Sequence, residues 1–434
     1  MAIALATPEK RLFVSLITRD ITLADAILDL VDNSINAAMV GVANPLDSAE
    51  AFYKLLKRTK SKVGTQIEVK VADDCVTVID NAGGIDLKSA EDGIFHFGAR
   101  EDAHAGKDRL SVFGIGMKRA MFKMGNRIEM ESDHPKGGFS LDLNVERWQE
   151  LAQEQWSFPI KERPKFRGDN PGTSVKISRL HHDVRKRISD PSFLVQLREK
   201  MAKTYAYFLD RLVKITLNNK EVKPIIFDIG ENHNHQNYQF ENVGYSITAG
   251  IALTSEHSTH THESAGWFVF CNGRAVLYAD KSGSTGWGGL LPVFQPKHRP
   301  FLGLVFFYSS SPESLPWNTT KDSINEESSV WQAAKLNMAA LARPIVNLLD
   351  RRYNDSDTDK RDIVALAGSK TSSLDSTVAA PSKFSLPRAK KSSATRVQYD
   401  AMPAELDKIR KHLGRSSLSA LGLNESLVRS SCCV

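Results

Sequence analysis

Between positions 23 and 38 the apolar and small residues Leu23, Ala26, Ile27, Leu30, Val31, Ser34, Ala37 and Ala38 recur at helical spacing, which sets one face of a helix on a core. Thr22 can cap that helix, Asp25 makes a loose capping box with it, and Gly41 stands where it should stop. The pattern therefore predicts a helix from Thr22 to about Val40. Its other face carries Asp25, Asp29, Asp32, Asn33 and Asn36, with Asp29 and Asn33 four apart and so on one side. Strand alternation follows at Gln66–Ala72, where Ile67, Val69 and Val71 share a face. Cys75–Asp80 is β-rich, and Asp73-Asp74 is the turn between the two. An apolar helix is expected at Arg119–Met124, strands near Arg127–Ser132 and Phe139–Val145, and a turn entering a strand at Gly172–Ile177.

A second unit is expected from about Pro191, opening with a long amphipathic helix over Phe193–Leu212. Strands are expected at Val213–Leu217, Tyr245–Leu253 and Trp267–Tyr278, the last broken by a turn at Asn272-Gly273-Arg274. Phe301–Tyr308 is nearly continuous apolar and reads as a buried strand, and Ser329–Leu349 as a closing helix after the Pro316–Lys321 loop. From about Asn354 to Gln398 the chain is rich in Ser, Lys, Asp and Thr without apolar periodicity, the pattern of a linker or disordered segment. Pro403–Leu413 reads as one short helix beyond it.

Composition narrows the class. With 434 residues, 41% apolar and 25% charged, the chain has the size for two or three cored domains and an ordinary globular balance. No stretch approaches the roughly 18 apolar residues of a membrane span, and the first residues lack a signal-peptide profile. The four cysteines, Cys75, Cys271, Cys432 and Cys433, have neither zinc spacing nor the density of a secreted scaffold. A reducing compartment is expected: the cytoplasm, or the nucleus in a eukaryotic source. Cys432-Cys433-Val434 does not fit prenylation, since Ser431 stands where that motif needs cysteine. The net charge of +6 lies in the tail: from Arg351 onward there are 15 Lys/Arg against 9 Asp/Glu, leaving 42 of each sign before it. Such a tail suits sequence-independent attraction to nucleic acid, or serves only to solubilise. His257, His260 and His262, with His233 and His235 before them, read as a solvated loop rather than a metal site. Trp267, Trp287 and Trp317 read as packing residues.

The acidic helix face has two readings. Charge on an outer face is ordinarily solvated. Here, however, no basic partner stands at i,i+4, and an Asp/Asn pair suits hydrated Mg²⁺, which takes hard oxygen ligands and keeps several waters. Later motifs bear on the choice. Asp80 closes a strand and precedes Asn81-Ala82-Gly83-Gly84-Ile85. A carboxylate there can accept from the exocyclic amine of adenine, while glycine lets backbone approach a flat ring. Ser111-Val112-Phe113-Gly114-Ile115-Gly116-Met117-Lys118 leads into a helix whose first amides favour phosphate, with Lys118 as an added charge. Either glycine pair alone is the mark of a plain turn; their order and spacing carry the signal.

That order resembles the GHKL ATPase superfamily of gyrase B, MutL, MORC proteins, the ninety-kilodalton heat-shock chaperones and histidine kinases, over roughly residues 15–180. The resemblance implies a Bergerat-type α/β sandwich that binds ATP and Mg²⁺. Asp29 to Ala37 looks like the first box, with Asn33 implied as the Mg²⁺ ligand and Asp29, where Glu is usual, as the base for the attacking water. Asp80 to Ile85 looks like the second box, with Asp80 on the adenine and Gly84 and Ile85 beside it. Phe113 to Lys118 resembles the phosphate-binding lid in its MORC-like form, implying Gly114, Ile115, Gly116, Met117 and Lys118 as nucleotide contacts. Gly172-Thr173 matches the last box, with Thr173 in the water network of the adenine carboxylate. Asn272-Gly273-Arg274 and Thr319-Thr320-Lys321 look like a ribosomal S5-like α/β transducer domain, whose loop lysine, here Lys321, reaches the γ-phosphate.

The expected organisation is an ATP-binding domain at 1–185, a transducer-like domain at 186–353, a disordered linker at 354–398 and a short helical tail at 399–434. Ala82 and Ser111 replace usual glycines with small residues, which keeps nucleotide binding. Asp29 is one methylene shorter than Glu and holds its carboxylate about 1.5 Å further back, so slow turnover or binding without hydrolysis is expected. The resemblance further implies closure of the Ala99–Lys118 lid and a homodimeric clamp acting on nucleic acid. A chaperone-like client clamp and an ATP sensor with little turnover are the alternatives. A histidine kinase is disfavoured, because only about twenty residues precede the first box and leave no room for a phosphoacceptor helix.

Overall fold

The computed structural model describes residues 8–40, 64–98, 110, 114–152, 155–209, 211–253, 263–354, 371–372, 381–385 and 403–412. The basic stretch at 54–62, most of the lid including Ser111 and Phe113, His257, His260, His262, Cys432, Cys433 and most of 355–434 lie outside them. Residues Met1–Leu386 cluster as one compact unit and Pro387–Val434 as a second. In the second unit, helix α8 (Pro403–His412) is described, as its pattern predicts.

The first unit opens with α1 (Lys10–Arg19) and α2 (Leu23–Val40). The expected capping of α2 is present: Thr22 Oγ1 accepts from the Asp25 amide at 3.1 Å and donates to the Asp25 carboxylate. An eight-stranded sheet follows, built from β1 (Thr65–Val71), β2 (Cys75–Asp80), β3 (Gly125–Ser132), β4 (Gly138–Asn144), β5 (Ile160–Arg163), β6 (Thr173–Leu180), β7 (Val213–Leu217) and β8 (Lys220–Glu221). Their order is β5-β4-β3-β6-β2-β1-β7-β8, with β1 and β7 parallel and every other pair antiparallel. Alternation decides its two faces. Ile67, Val69, Val78, Ile128, Met130 and Ile177 are buried on the side covered by α2 and α3 (Gly116–Met124). The open side carries opposite charges across strands, Arg127 to Asp142 at 3.1 Å and Lys176 to Glu129 at 3.5 Å.

This sheet corrects the expected boundary at 185/186, because β7 and β8 belong to it. Helices α4 (Val145–Glu150), α5 (His182–Ile188) and α6 (Pro191–Thr204) complete this part. Helix α6 stops eight residues short of the expected Leu212. Tyr205 through Leu209 are all buried, a demand that no single helix face meets.

A second, five-stranded sheet has the order β10-β11-β14-β12-β13, from β10 (Asn234–Phe240), β11 (Val243–Ile251), β12 (Gly266–Cys271), β13 (Arg274–Asp280) and β14 (Phe301–Tyr308). Strands β11, β12 and β14 are buried at every position, so both of their faces are covered. Phe306 faces Tyr207, centroids 4.6 Å apart, while the next residue, Phe307, faces Trp331 of α7 (Ser329–Asn354) at 6.0 Å. Trp267, Trp287 and Trp317 are buried, as packing residues should be. The whole is an α/β structure with two mixed sheets.

Two expectations fail at the edge of this second sheet. Residues 371–372 and 381–385 fall in the stretch read as disordered, yet both are placed. β15 (Thr371–Ser372) pairs with β9 (Ile229–Gly230), and Ser382 exchanges backbone hydrogen bonds with His235 on edge strand β10. Phe384 buries its ring, at 6% exposure. A single aromatic anchor and an unpaired strand edge are enough to seat a short polar segment, and neither shows as periodicity. His233 and His235, read as solvated, are buried there, with Nδ1 bonds to the Gly230 carbonyl and to Thr248 Oγ1, both 2.8 Å. Among the described residues no helix is long and apolar enough to cross a membrane.

Candidate functional site

The sequence-predicted residues divide into two neighbouring groups. The first lines a cavity of about 60 Å³ between α2 and the sheet. Asn33 and Ser34 enter it from α2, Asp80 from the end of β2, Gly84 and Ile85 from the loop after it, Met117 from α3 and Thr173 from the start of β6. Leu30, Ala37, Val78, Met130 and Val175 supply apolar walls. Thr173 stands directly opposite Asp80 in the β2–β6 register. A narrow apolar slot with one carboxylate at its end is the form a planar heterocycle with an amine edge requires.

Asp80 is held on both oxygens: Oδ1 accepts from the Ala82 amide at 2.9 Å and Oδ2 from Ser34 Oγ at 2.6 Å. Burial pushes its carboxyl above the usual range, against the hydrogen bonds from Ser34, Ala82 and Thr173. Ser132 Oγ lies 3.2 Å from Thr173 Oγ1 and receives the Ile85 amide at 2.7 Å, tying the loop to the floor of the slot. Gly84 has φ +67°, and a Cβ there would lie 1.9 Å from the Asp133 carbonyl. Its glycine is therefore demanded by close backbone packing beside the slot.

The second group lies one turn back along α2, about 5.4 Å toward its N-terminus. Asp29 and Asp32 are each 2% exposed, so the acidic face of this helix is not solvated. Its counter-charges come from distant elements, which is why no i,i+4 partner exists. Arg119 of α3 reaches Asp29 Oδ2 through Nη2 at 2.6 Å and Nε at 3.2 Å. Arg274, the first residue of β13, places Nε 3.0 Å from both oxygens of Asp32. Lys321 Nζ is 2.7 Å from Asp32 Oδ2 and 3.8 Å from Asp29 Oδ1. Tyr205 donates to Asp32 at 2.9 Å. Burial alone lifts both carboxyls. For Asp32 the Arg274 and Lys321 charges prevail and hold it below the usual range, whereas Asp29 stays above it despite Lys321 and Arg119.

The lid residues are split. Gly114 (φ +60°) and Ile115 lead into α3, whose first turn has no side-chain cap among the described residues. Its amides are thus available to an anion. A Cβ on Gly116 would sit 3.5 Å from the Asp29 carboxyl, so α3 starts against that group. Lys118 is turned away from both groups: its ammonium donates to the carbonyls of Ile94 (2.9 Å) and His96 and lies 5.5 Å from the Phe97 ring centroid. Among the described residues it has no carboxylate partner, and burial pushes it down to about 8.

Both implied groups fit what is present. Asn33 Nδ2 is buried without a hydrogen-bond partner among the described residues, leaving this donor to meet an acceptor on a ligand. One amide oxygen is a fitting protein contribution to Mg²⁺, which fills its sphere with water and phosphate oxygens. The described residues contain no cluster of three His, Cys, Asp or Glu that could hold a metal alone. For ATP, the slot offers the carboxylate and apolar walls, and the uncapped α3 and the cations the anionic end.

Pattern reading missed Arg119, Arg274 and Tyr205 as site residues. Arg119 adjoins the lid motif and Arg274 sits in a turn already singled out, but only the tertiary fold brings either to α2. Tyr205 offered no signal.

The buried lysine gives a pH test. A lysine near 8 when folded and near 10.4 when unfolded weakens the fold below pH 8, and the penalty fades as pH rises through that window. Urea denaturation from pH 7 to 9.5 should show wild type gaining roughly 2 kcal/mol relative to Lys118→Met. Identical pH slopes would mean that this ammonium is not desolvated.

The family profile described as "Histidine kinase-, DNA gyrase B-, and HSP90-like ATPase" matches residues 21–166, about a third of the chain. A comparison with curated proteins finds no match. The matched span contains α2, β1 to β5 and α3, and with them every slot residue except Thr173 and Val175. Fold, slot and profile agree, and residues 21–166 resemble the ATPase domain of the histidine kinase, gyrase B and heat-shock-chaperone superfamily.

Proposed function

We propose that the chain binds MgATP in this slot and hydrolyses it slowly, using the cycle to close a lid and clamp a second copy of itself around nucleic acid. One observation carries the nucleotide reading: Asn33 and Asp80, 47 residues apart in sequence, line the same cavity. In this reading Asp80 takes the adenine amine, Asn33 holds Mg²⁺, and the α3 amides meet the phosphates. Magnesium supplies charge neutralisation of the phosphates. To reach them Lys118 has to leave the Ile94 and His96 carbonyls and Lys321 the Asp32 carboxylate, and Asp29, lifted by burial, is the group to take a proton from water. The Asn318-Thr319-Thr320-Lys321 loop follows β14 of the second sheet in the chain and its Lys321 reaches Asp32 of α2, which supports coupling of the site to that sheet.

The Asp29–Arg119 pair favours a second reading, an ATP sensor with little turnover, because a carboxylate engaged by a guanidinium is a poor base. Nucleotide titration with parallel phosphate release separates the two. Asp80→Asn should weaken ATP binding on the order of a hundredfold or more, and Asp29→Asn should bind ATP without turnover. Full-strength binding by Asp80→Asn would overturn the site, and measurable binding without wild-type turnover would select the sensor.

The nucleic-acid part rests on the MORC-like Phe113–Lys118 motif and on the basic excess after Arg351. DNA binding should weaken steeply with added salt and fall on removal of residues 355–434. Salt-insensitive or absent binding would leave the client-clamp alternative.

A further inference from the structure

We propose that Arg119 is the residue by which this site distinguishes a nucleoside triphosphate from the diphosphate: it is held by Asp29 in this structure and passes to the terminal phosphate, leaving the Asp29 carboxylate free. The inference rests on the nucleotide reading and adds to it a switch that the lid motif alone does not contain.

Position is the first argument. Asp29 lies one helical turn beyond Asn33 on the same side of α2, so the slot, the Asn33 amide and the Asp29–Arg119 pair follow one another along a single line. Gly116, the first residue of α3, closes against the Asp29 carboxyl, and Met117 beside it lines the slot. Arg119 is therefore in the first turn of α3, which has no side-chain cap among the described residues.

Charge is the second. Among the described residues, the cluster sets two carboxylates, Asp29 and Asp32, against three cations, Arg119, Arg274 and Lys321. All five are at most 7% exposed. A buried excess of positive charge is costly until an anion joins it. Asp32 already has two cations and a tyrosine hydroxyl, and Arg274 is anchored further by the Lys321 carbonyl. Arg119 is the looser member. It makes its carboxylate bonds to a single oxygen, and its remaining contact, to the Thr319 carbonyl, is long at 3.5 Å. A phosphate carries more charge than a carboxylate and accepts the guanidinium fork with two oxygens, so an exchange of partners is favoured.

Replacing Arg119 should therefore lower affinity for the triphosphate alone, and removing the Asp29 charge should raise it, since Arg119 is then free beforehand. The test is calorimetric titration of the full chain with the nonhydrolysable triphosphate AMP-PNP and with ADP, both with Mg²⁺, for wild type, Arg119→Gln, Arg119→Lys and Asp29→Asn. Expected are an AMP-PNP affinity about tenfold weaker in Arg119→Gln, partly restored in Arg119→Lys, and several-fold tighter in Asp29→Asn, with ADP affinity unchanged throughout. Melting temperatures measured beside each titration identify a variant that fails to fold, in which case the remaining pair decides. An unchanged AMP-PNP to ADP ratio in folded variants overturns the switch and leaves the nucleotide site intact. Absence of binding by either nucleotide to wild type overturns both.

Discussion

Asp32 is a carboxylate with almost no access to water, and its ionised state depends on cations brought from residues 242 and 289 positions away. That requirement organises the molecule around α2. Arg274 can meet it only if the β12–β13 turn is folded against the helix, and Lys321 only if the 318–322 loop is set. The loop is set by its own polar groups: Asn318 Nδ2 donates to Thr320 Oγ1 and to Asp322 Oδ1, and Lys321 takes a left-handed φ of +56° that turns its side chain inward. Removing one member of such a buried pair costs about 3–5 kcal/mol, because the survivor remains charged and dry. The helix that lines the slot and the sheet that supplies its counter-charges are thus tied by electrostatics as well as by packing.

The site inherits a direction from this arrangement. At one end Asp80, Thr173 and Ser34 form a small hydrogen-bonded group among apolar walls, suited to a base edge. At the other, cations outnumber carboxylates, which suits phosphate. Between them stands Asn33, whose Nδ2 has no hydrogen-bond partner among the described residues. In the proposed reading these groups follow one another beside α2 in the order base, metal, phosphate. Asp29 belongs to the phosphate end, where burial raises its carboxyl and two cations oppose the shift. A shorter acid at that position is compatible with the Arg119 contact seen there.

Much of this was legible in the chain. The α2 cap, the two-residue turn at 73–74 and the buried strand Phe301–Tyr308 follow from periodicity and turn chemistry over short windows, while the boxes come from resemblance to a family. What could not be read was long-range pairing. The acidic face of α2 leaves a solvated and a metal-binding reading open, because its partners lie on α3, on β13 and on the 318–322 loop. Strand β10, with the sequence Asn-His-Gln-Asn-Tyr-Gln-Phe, has no alternation because it is an edge strand covered by residues 381–385. β7 and β8 joined the first sheet through a parallel pairing with β1 that leaves no local trace.

The central claim, that the buried Asp32 of α2 is neutralised by Arg274 from the second sheet, is tested most directly by a double-mutant cycle on unfolding free energy with Asp32→Asn and Arg274→Met. The account predicts that each single change costs about 3 kcal/mol or more, and that the double mutant loses less than their sum by about 2 kcal/mol. Additivity within about 0.5 kcal/mol would contradict it.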